Sequence, residues 1–541
     1  MAVLLGVAVH AVYLNCVAED AFISFRFARH VALGEGFVWN IGEPPVEGYT
    51  NFLWVVLMAL VLKLGFGPEI PSQVLGILAT GATILFVYRI SCLLHGELRS
   101  PFRFAAPVLM AASGPIATWA ASGMETNLFM ALLTMGFFYY LRDLERDELG
   151  WQAAACLLLA GLTRPEGVMV FALLWAHHAL RDLALRRPPW RDRRFLIWTS
   201  VFLIPGLIYF VWRYAYFGYL LPNVFYAKGA GSVQHLERGV EYVTLFARVF
   251  LLPALLLLPA MVFVIVGHAK RARCQVAWWL APIALVVLAY VGYVVYVGGD
   301  YMAMFRFMVP IIPMLYLLVQ EAARLGVVYS RQSLRAVYPI FLGVFLAFTL
   351  LPSLTTEQMR GHGFPEWIVR QYRKPTFMHG YADGVDLERW HAARLSLIGR
   401  FFKSIARSGE DSVMTSAIGA VSYHSGIKVY GQHGLVDTHI AHLKHSAFGT
   451  RLPGHAKGDS EYLLKKRPTF IMVTRSLAPR PVPKRILAQS LIPEIRDIYL
   501  PRYDVVNVPM NDRRNRESGY FPFLALKGRG GGLGSSIFDP D

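Results

Sequence analysis

The sequence predicts a polytopic α-helical membrane protein with about eleven transmembrane helices and a C-terminal soluble domain of mixed α/β type. Three observations predict it. Fifty-five per cent of the 541 residues are hydrophobic and the mean hydropathy is +0.42, more apolar surface than a water-soluble chain of this length can bury. Apolar runs recur at lengths near the roughly 20 residues that a helix needs to cross a hydrocarbon core, with charged residues between them. At Pro352 that pattern stops, and a polar, histidine-containing stretch follows to the C-terminus.

The runs lie at about 3–18, 72–93, 103–119, 125–141, 151–163, 166–181, 195–217, 243–267, 277–297, 305–324 and 334–351. The first lacks both a charged leading segment and a small-residue cleavage pattern before Glu19, so it is expected to remain as an anchor. Arg164 and Pro165 divide the fifth run from the sixth. Proline removes a backbone donor, and a broken helix survives in a membrane only where protein or a water-filled cavity satisfies the freed groups. The segment 51–65 is also apolar, but a crossing there would invert the charge pattern downstream. It is expected instead to lie along the outer leaflet, with Trp39, Tyr49 and Trp54 at headgroup level.

Short cytoplasmic loops accumulate Lys and Arg. Arg99 and Arg103, Arg142 and Arg146, the group Arg181 to Arg194, Lys270 to Arg273, and Arg331 with Arg335 all fall on one side of the run order. The stretches 19–71, 120–124, 163–166, 218–242, 298–304 and everything after 351 then face outward. The net charge of +17 is thus spread over loops rather than gathered in one aromatic-interleaved patch, which argues against nucleic acid as a partner and leaves the lipid bilayer as one. Residues 1–351 form the expected membrane domain, with 19–71 as its first outer loop, and 352–541 the outer domain. Three of the four cysteines, Cys16, Cys92 and Cys156, fall in or beside membrane runs and Cys274 near a cytoplasmic loop, so no disulfide framework is expected outside.

The first outer loop carries the residues suited to chemistry. Glu19 and Asp20 directly follow the first helix, ahead of Arg26, Glu47, Tyr49 and Asn51. A carboxylate beside an acceptor hydroxyl serves as a general base, and a low-dielectric setting raises its pKa toward the working range. The plainer alternative is a solvated pair at a helix start. Arg164 and Lys228 are candidate cations for a phosphate leaving group, with the backbone amides at 165–168 as further anion donors. Arg164 could equally pair with Glu125 or Glu166, Arg26 could neutralise Asp20 or meet phosphate, and Asp300 with Arg306 reads as an ion pair or as sugar-binding groups.

Several motifs resemble one family. They are E-D-A-F-I-S-F-R-F-A from Glu19, G-E-G-F-V-W-N from Gly34, V-E-G-Y-T-N-F-L-W from Val46, S-G-M-E-T from Ser122, L-T-R-P-E-G from Leu162, P-N-V-F-Y-A-K from Pro222, G-G-D-Y-M from Gly298, H-G-L-V-D from His433 and G-H-A-K-G-D from Gly454. Together they resemble the terminal β-1,2-arabinofuranosyltransferases and their bacterial relatives, which are C-type (GT-C) membrane glycosyltransferases. The resemblance implies inverting transfer of a sugar, with arabinofuranose as the family's own, from a polyprenyl-phosphate donor to a cell-envelope glycan acceptor at the outer face of the bacterial cytoplasmic membrane. It implies a first-loop carboxylate, Asp20 or Glu19, as the base. It further implies substrate contacts from Arg26, Glu47, Tyr49, Asn51, Glu125, Arg164, Glu166, Lys228, Asp300, Arg306, His433 and Asp437. Family members usually begin the first motif with two aspartates; here Glu19 takes the first place and Asp20 keeps the second.

In the outer domain, short strands are expected at 413–416, 427–430 and 469–474 and helices near 386–407 and 459–466, with a glycine-rich tail from Gly528. His439, His442 and His445 recur every third residue. Without a fixed carboxylate or cysteine partner they suit a solvated or glycan-contacting surface better than a metal, with a divalent metal kept as the lesser alternative and no other cofactor expected. The competing class is a transporter or flippase of lipid-linked sugars, which also has broken helices and buried charges. The chain shows no repeated halves, and its outer domain suits an enzyme better.

Overall fold

The computed structural model describes all residues except 96–100, 230–231, 252–274, 330–331, 333–334, 374–378, 408, 445–456, 491–496, 498–499, 532, 534–536 and 540–541. The helices open with α1 (Ala2–Tyr13), α2 (Ala21–Ala32), α3 (Phe52–Lys63), α4 (Glu69–His95), α5 (Ala105–Ala112), α6 (Gly114–Ala120) and α7 (Thr126–Arg146). They continue with α8 (Gln152–Thr163), α9 (Glu166–Ala184), α10 (Arg193–Phe217), α11 (Asn223–Lys228) and α12 (Val233–Phe246). Among the described residues four helices are long and apolar enough to cross a membrane: Glu69–Leu94, Arg193–Phe217, Leu280–Val297 and Ala303–Val328. The remaining expected runs correspond to shorter or more polar helices. The run at 103–119 is divided by Ser113 into α5 and α6. The run at 243–267 begins as the end of α12 and one π turn, and then passes outside the described residues, as do Arg99, Arg331, Cys274, His445 and His455.

The break at Arg164 is local and complete. Arg164 is extended at φ −153°, ψ 137°, ending α8, and Pro165 caps α9, where its missing N–H costs nothing. The amides beyond it are not free for an anion: Gly167 donates to the Arg164 carbonyl and Val168 to that of Pro165, both at 3.0 Å.

Helix α3 forms as expected from its run, but its surroundings correct the headgroup placement. Trp54, Trp39 and Tyr49 are 0%, 2% and 4% exposed. Trp54 Nε1 donates to the Gly123 carbonyl at 3.1 Å and Trp39 Nε1 to that of Val429 at 2.8 Å. Protein, not lipid, satisfies these rings, because α2 and α3 pack on each other beneath residues contributed from far along the chain.

Beyond residue 380 the helix Ala382–Ile405 precedes a five-stranded sheet of order β2-β1-β3-β5-β4. Its strands are β1 (Ser412–Thr415), β2 (Lys428–Gly431), β3 (Phe470–Ile471), β4 (Tyr503–Asp512) and β5 (Glu517–Leu526). β1 pairs in parallel with β2, Val413 opposite Val429, and with β3, Val413 opposite Phe470. β5 runs antiparallel to β3 and to β4, with Phe523 opposite Val506. The apolar core is continuous from α2 through the helix Gly419–Ser425 into the sheet: Phe22 and Phe25 lie 5.6 and 6.0 Å from the Tyr423 ring.

Candidate active site

The site grows from the start of α2. The turn Ser122–Glu125 meets it, Ala18 N–H donating to the Ser122 carbonyl at 2.9 Å. Gly123 allows this approach: it sits at φ +76°, and an added Cβ would come within 3.3 Å of both Ala21 and Val17. Asp20 caps α2 and its side chain is 28% exposed. Glu19 is buried, and its Oε1 accepts the Ala420 N–H at 3.1 Å. Burial, reinforced by the neighbouring Asp20 charge, pushes the Glu19 carboxyl up to about 8. The two adjacent carboxyl groups are therefore unlike: Glu19 holds its proton at neutral pH, whereas Asp20 opens toward a cavity.

That cavity, of about 160 Å³, is lined by Glu19, Asp20, Tyr301, His379, Glu388, His391 and Arg475 among others. His379 Nδ1 bonds Glu388 Oε1 at 2.6 Å. His391 Nδ1 is buried without a hydrogen-bond partner, and burial, then Arg475, hold the imidazole down to about 3. Beyond Glu19 and Asp20, these lining residues were not singled out from the sequence. Tyr301 alone of these falls within a recognised motif, G-G-D-Y-M; His379, Glu388, His391 and Arg475 lie in segments with no spacing signal.

Asp300 and Arg306 do pair, Nε to Oδ2 at 2.6 Å. The same guanidinium reaches Asp20 at 3.9 Å, so the pair is not closed on itself. Met304 and Phe305, just before it, are buried at φ +57° and +50°. Such left-handed backbone costs on the order of 1–3 kcal/mol per non-glycine residue and persists where the surroundings fix it, as at functional sites. Phe307 lies between two cations, 5.1 Å from Arg306 and 5.4 Å from Arg164.

Arg164 bonds Glu125 at 3.0 Å and Glu166 at 2.9 Å. Glu125 also accepts from Asn51 Nδ2 at 2.8 Å, which in turn bonds Ser24. This chain ties α2, α7 and α9 together and consumes the Arg164 charge internally. Lys228, by contrast, makes no hydrogen bond or ion pair among the described residues. Burial and the Arg306 charge lower its pKa, while Asp20 and Asp300 act to raise it, so the ammonium lies within electrostatic reach of all three.

Other expected contact residues are bonded or packed within the protein. Arg26 makes no bond to Asp20 among the described residues: it donates to Trp39 O, Asn40 Oδ1, Ser422 O and Ile427 O at 2.7 to 2.9 Å, locking the first loop to later chain. Glu47 is closed on Arg213 at 2.7 to 3.0 Å, with both side chains buried. Tyr49 is buried within the aromatic group of Phe27 and Phe37, its hydroxyl unpartnered. Asp437 caps the turn Thr438–Ala441 and pairs with Lys466 at 2.9 Å, and His433 meets the Lys457 carbonyl. His439 bonds Asp459 and stacks on Tyr462. Among the described residues no group of three or more His, Cys, Asp or Glu is arranged to hold a metal ion.

The overall arrangement matches a solved membrane protein over nearly its whole length. ArnT from Cupriavidus metallidurans, bound to undecaprenyl phosphate, superposes with a TM-score of 0.57 over 98% of both chains, at 13% identity. The chain has the C-type glycosyltransferase fold. The apo form of ArnT agrees at a TM-score of 0.53, 13% identity, over 96% of this chain and 97% of that one. In sequence, the chain is 27% identical over 283 residues to the terminal beta-(1->2)-arabinofuranosyltransferase of Mycobacterium tuberculosis. That match covers 49% of this chain and 43% of the relative, so the chain spans less than half the length of the curated relative it matches. A domain family of unknown function, DUF8728, matches residues 381–520. The resemblance read from the motifs agrees with both comparisons: the chain is a multi-pass membrane protein that shares the fold of ArnT and is similar in sequence to a terminal arabinofuranosyltransferase.

Proposed function

We propose that this chain transfers a sugar, arabinofuranose by analogy with its mycobacterial relative, from a polyprenyl-phosphate donor to a cell-envelope glycan at the outer face of the bacterial cytoplasmic membrane. In this reading residues 1–351 form the catalytic membrane domain with about eleven crossings, and 352–541 the outer domain. Asp20 is the general base. It takes the proton of the acceptor hydroxyl as that oxygen bonds the anomeric carbon, and the bond from that carbon to the phosphate oxygen breaks with inversion, its electron pair leaving on the phosphate.

One observation carries the reading: a partly exposed Asp20 stands beside an arginine already held by Asp300, with an unpaired lysine in the same field. The departing phosphate gathers negative charge, and a preorganised cation not yet spent on a protein carboxylate stabilises it most. Lys228 is that cation and Arg306 assists; Arg164, with Glu125, Glu166 and Asn51, fixes the helices around them. Glu19, protonated, supplies shape and lowers the local negative charge rather than accepting the proton. Tyr49, Glu47, His433 and Asp437 support the walls. None of the relatives described above is a transporter or flippase.

The test is transfer by the purified full chain, given defined polyprenyl-phosphate sugars and acceptor oligosaccharides, with Asp20→Asn and Glu19→Gln beside the wild type. Loss of product in Asp20→Asn by about 10² to 10⁴-fold, with Glu19→Gln active, is the expected result. Equal transfer by both variants and the wild type would overturn the assignment of the base.

A further inference from the structure

A second, larger cleft of about 750 Å³ lies apart from the Asp20 cavity, bounded by the end of the first segment, the start of α4 and the outward face of Ala382–Ile405. Its lower wall carries Phe66 and Ile70, which are 62% and 73% exposed. These flank Glu69, where a helix long and apolar enough to cross a membrane begins. With that helix crossing the bilayer, as the proposed function has it, the cleft opens where hydrocarbon gives way to headgroups. Its upper wall carries Arg400, half-buried, and Arg514, exposed in the turn between β4 and β5. Neither guanidinium makes a hydrogen bond or ion pair among the described residues.

The charges around the cleft are lopsided. Arg389, also on the wall, is spent on Asp386 and on the carbonyls of Tyr13 and Asn15. Asp512, the carboxylate that most attracts Arg400, is itself bonded by Arg394 at 2.6 Å. Glu69 is the acidic residue of the lining. The His424 ring faces the cleft against Phe22, 5.1 Å away. Burial and then Arg400, Arg29, Arg514 and Lys403 hold that imidazole neutral, at about 3. Two cations bonded to no carboxylate among the described residues, beside exposed apolar side chains, form a receptor for a group with both characters.

We infer that this cleft binds the phosphate headgroup of an anionic phospholipid of the outer leaflet, with Arg400 and Arg514 on the phosphate and Phe66 and Ile70 against the acyl chains. Guanidinium meets phosphate through paired, charge-assisted hydrogen bonds, and arginine keeps its charge at all working pH values. The site is separate from Asp20, Arg306 and Lys228, so its occupation is independent of the proposed transfer chemistry.

Native mass spectrometry of the full chain, titrated with phosphatidylglycerol and with phosphatidylcholine of the same acyl length, tests it. Retention of phosphatidylglycerol is expected to exceed that of phosphatidylcholine by roughly 25-fold, since each of the two arginines at an anionic surface contributes about fivefold. The preference should fall to near parity in Arg400→Ala/Arg514→Ala. Arg514→Glu alone, at an exposed turn where packing is not at stake, should lower it as well and guards against misfolding of the double variant. Equal retention of both lipids by the wild type, or a preference that survives Arg514→Glu, would overturn the inference. Inorganic phosphate is the arm for a free anion: if it shifts the melting midpoint in an Arg514-dependent way while no lipid preference exists, the lipid assignment fails.

Discussion

Replacing Glu19 by Gln separates the cost of burying a charge from the shape of the side chain. The Glu19 carboxyl accepts the Ala420 N–H at 3.1 Å, and burial, then the Asp20 charge, raise its pKa from 4.5 to about 8. Between those values the folded chain binds a proton that the unfolded chain has lost. Stability from this group is therefore complete below about pH 4.5 and falls as pH rises to about 8. At about 1.4 kcal/mol per pKa unit, the interval corresponds to on the order of 5 kcal/mol. Glutamine keeps an oxygen acceptor for Ala420 and never ionises. The apparent melting midpoint of the full chain in nanodiscs, followed from pH 4.5 to pH 9, should fall by several degrees for the wild type. Glu19→Gln should lose most of that slope and be the more stable of the two at pH 8. Parallel curves, or a variant weaker than the wild type at pH 8, would refute the claim that Glu19 is buried with its proton.

Lys228→Met should reduce kcat for transfer by roughly 10² to 10³-fold while leaving the KM for acceptor little changed, with partial recovery in Lys228→Arg, read by steady-state kinetics. Glu47→Ala strands the buried Arg213 guanidinium and should cost about 3–5 kcal/mol, seen as a lowered melting midpoint without a selective loss of donor binding. Gly419→Ala sets a methyl 2.2 Å from the Glu19 carbonyl oxygen. A shift of the backbone is then required, costing about 1–3 kcal/mol, and both the midpoint and transfer activity should drop together.

The helical half of the fold was legible because its signals are local. The Arg164–Pro165 break, the helix before each outer loop, and the strands near 413 and 428 follow from run length, proline chemistry and alternation of apolar residues. The β4–β5 hairpin was not expected. Pro509 and Pro522 sit inside it, and its four-residue connection, Arg513–Arg516, holds arginines and an asparagine rather than the usual glycine turn pair. In the site, Glu19, Asp20, Asp300, Arg306 and Lys228 were named from motifs, and they do gather at one place. Their partners were not all accessible to sequence reasoning. Arg26 follows Asp20 by six positions, yet its ligands come from Trp39, Ser422 and Ile427, and nothing in its spacing reports such distant carbonyls. Arg213 was passed over for the same reason: a helix-end arginine gives no hint that a glutamate from the first loop will close upon it.

The bond from Ala420 to Glu19 joins residues 401 positions apart, and Arg26 reaches Ser422 and Ile427 across comparable spans. During synthesis the acidic start of α2 emerges long before the strand-and-helix segment that covers it. Until residue 420 has been made and carried to the same side of the membrane, Glu19 lacks its Ala420 partner, and the Asp20 cavity lacks the walls given by His379, Glu388 and Arg475. The pocket is thus a late product of biogenesis. A nascent or truncated chain that has inserted its early helices correctly holds the acid but not the enclosure, so the complete cavity waits on the last third of translation.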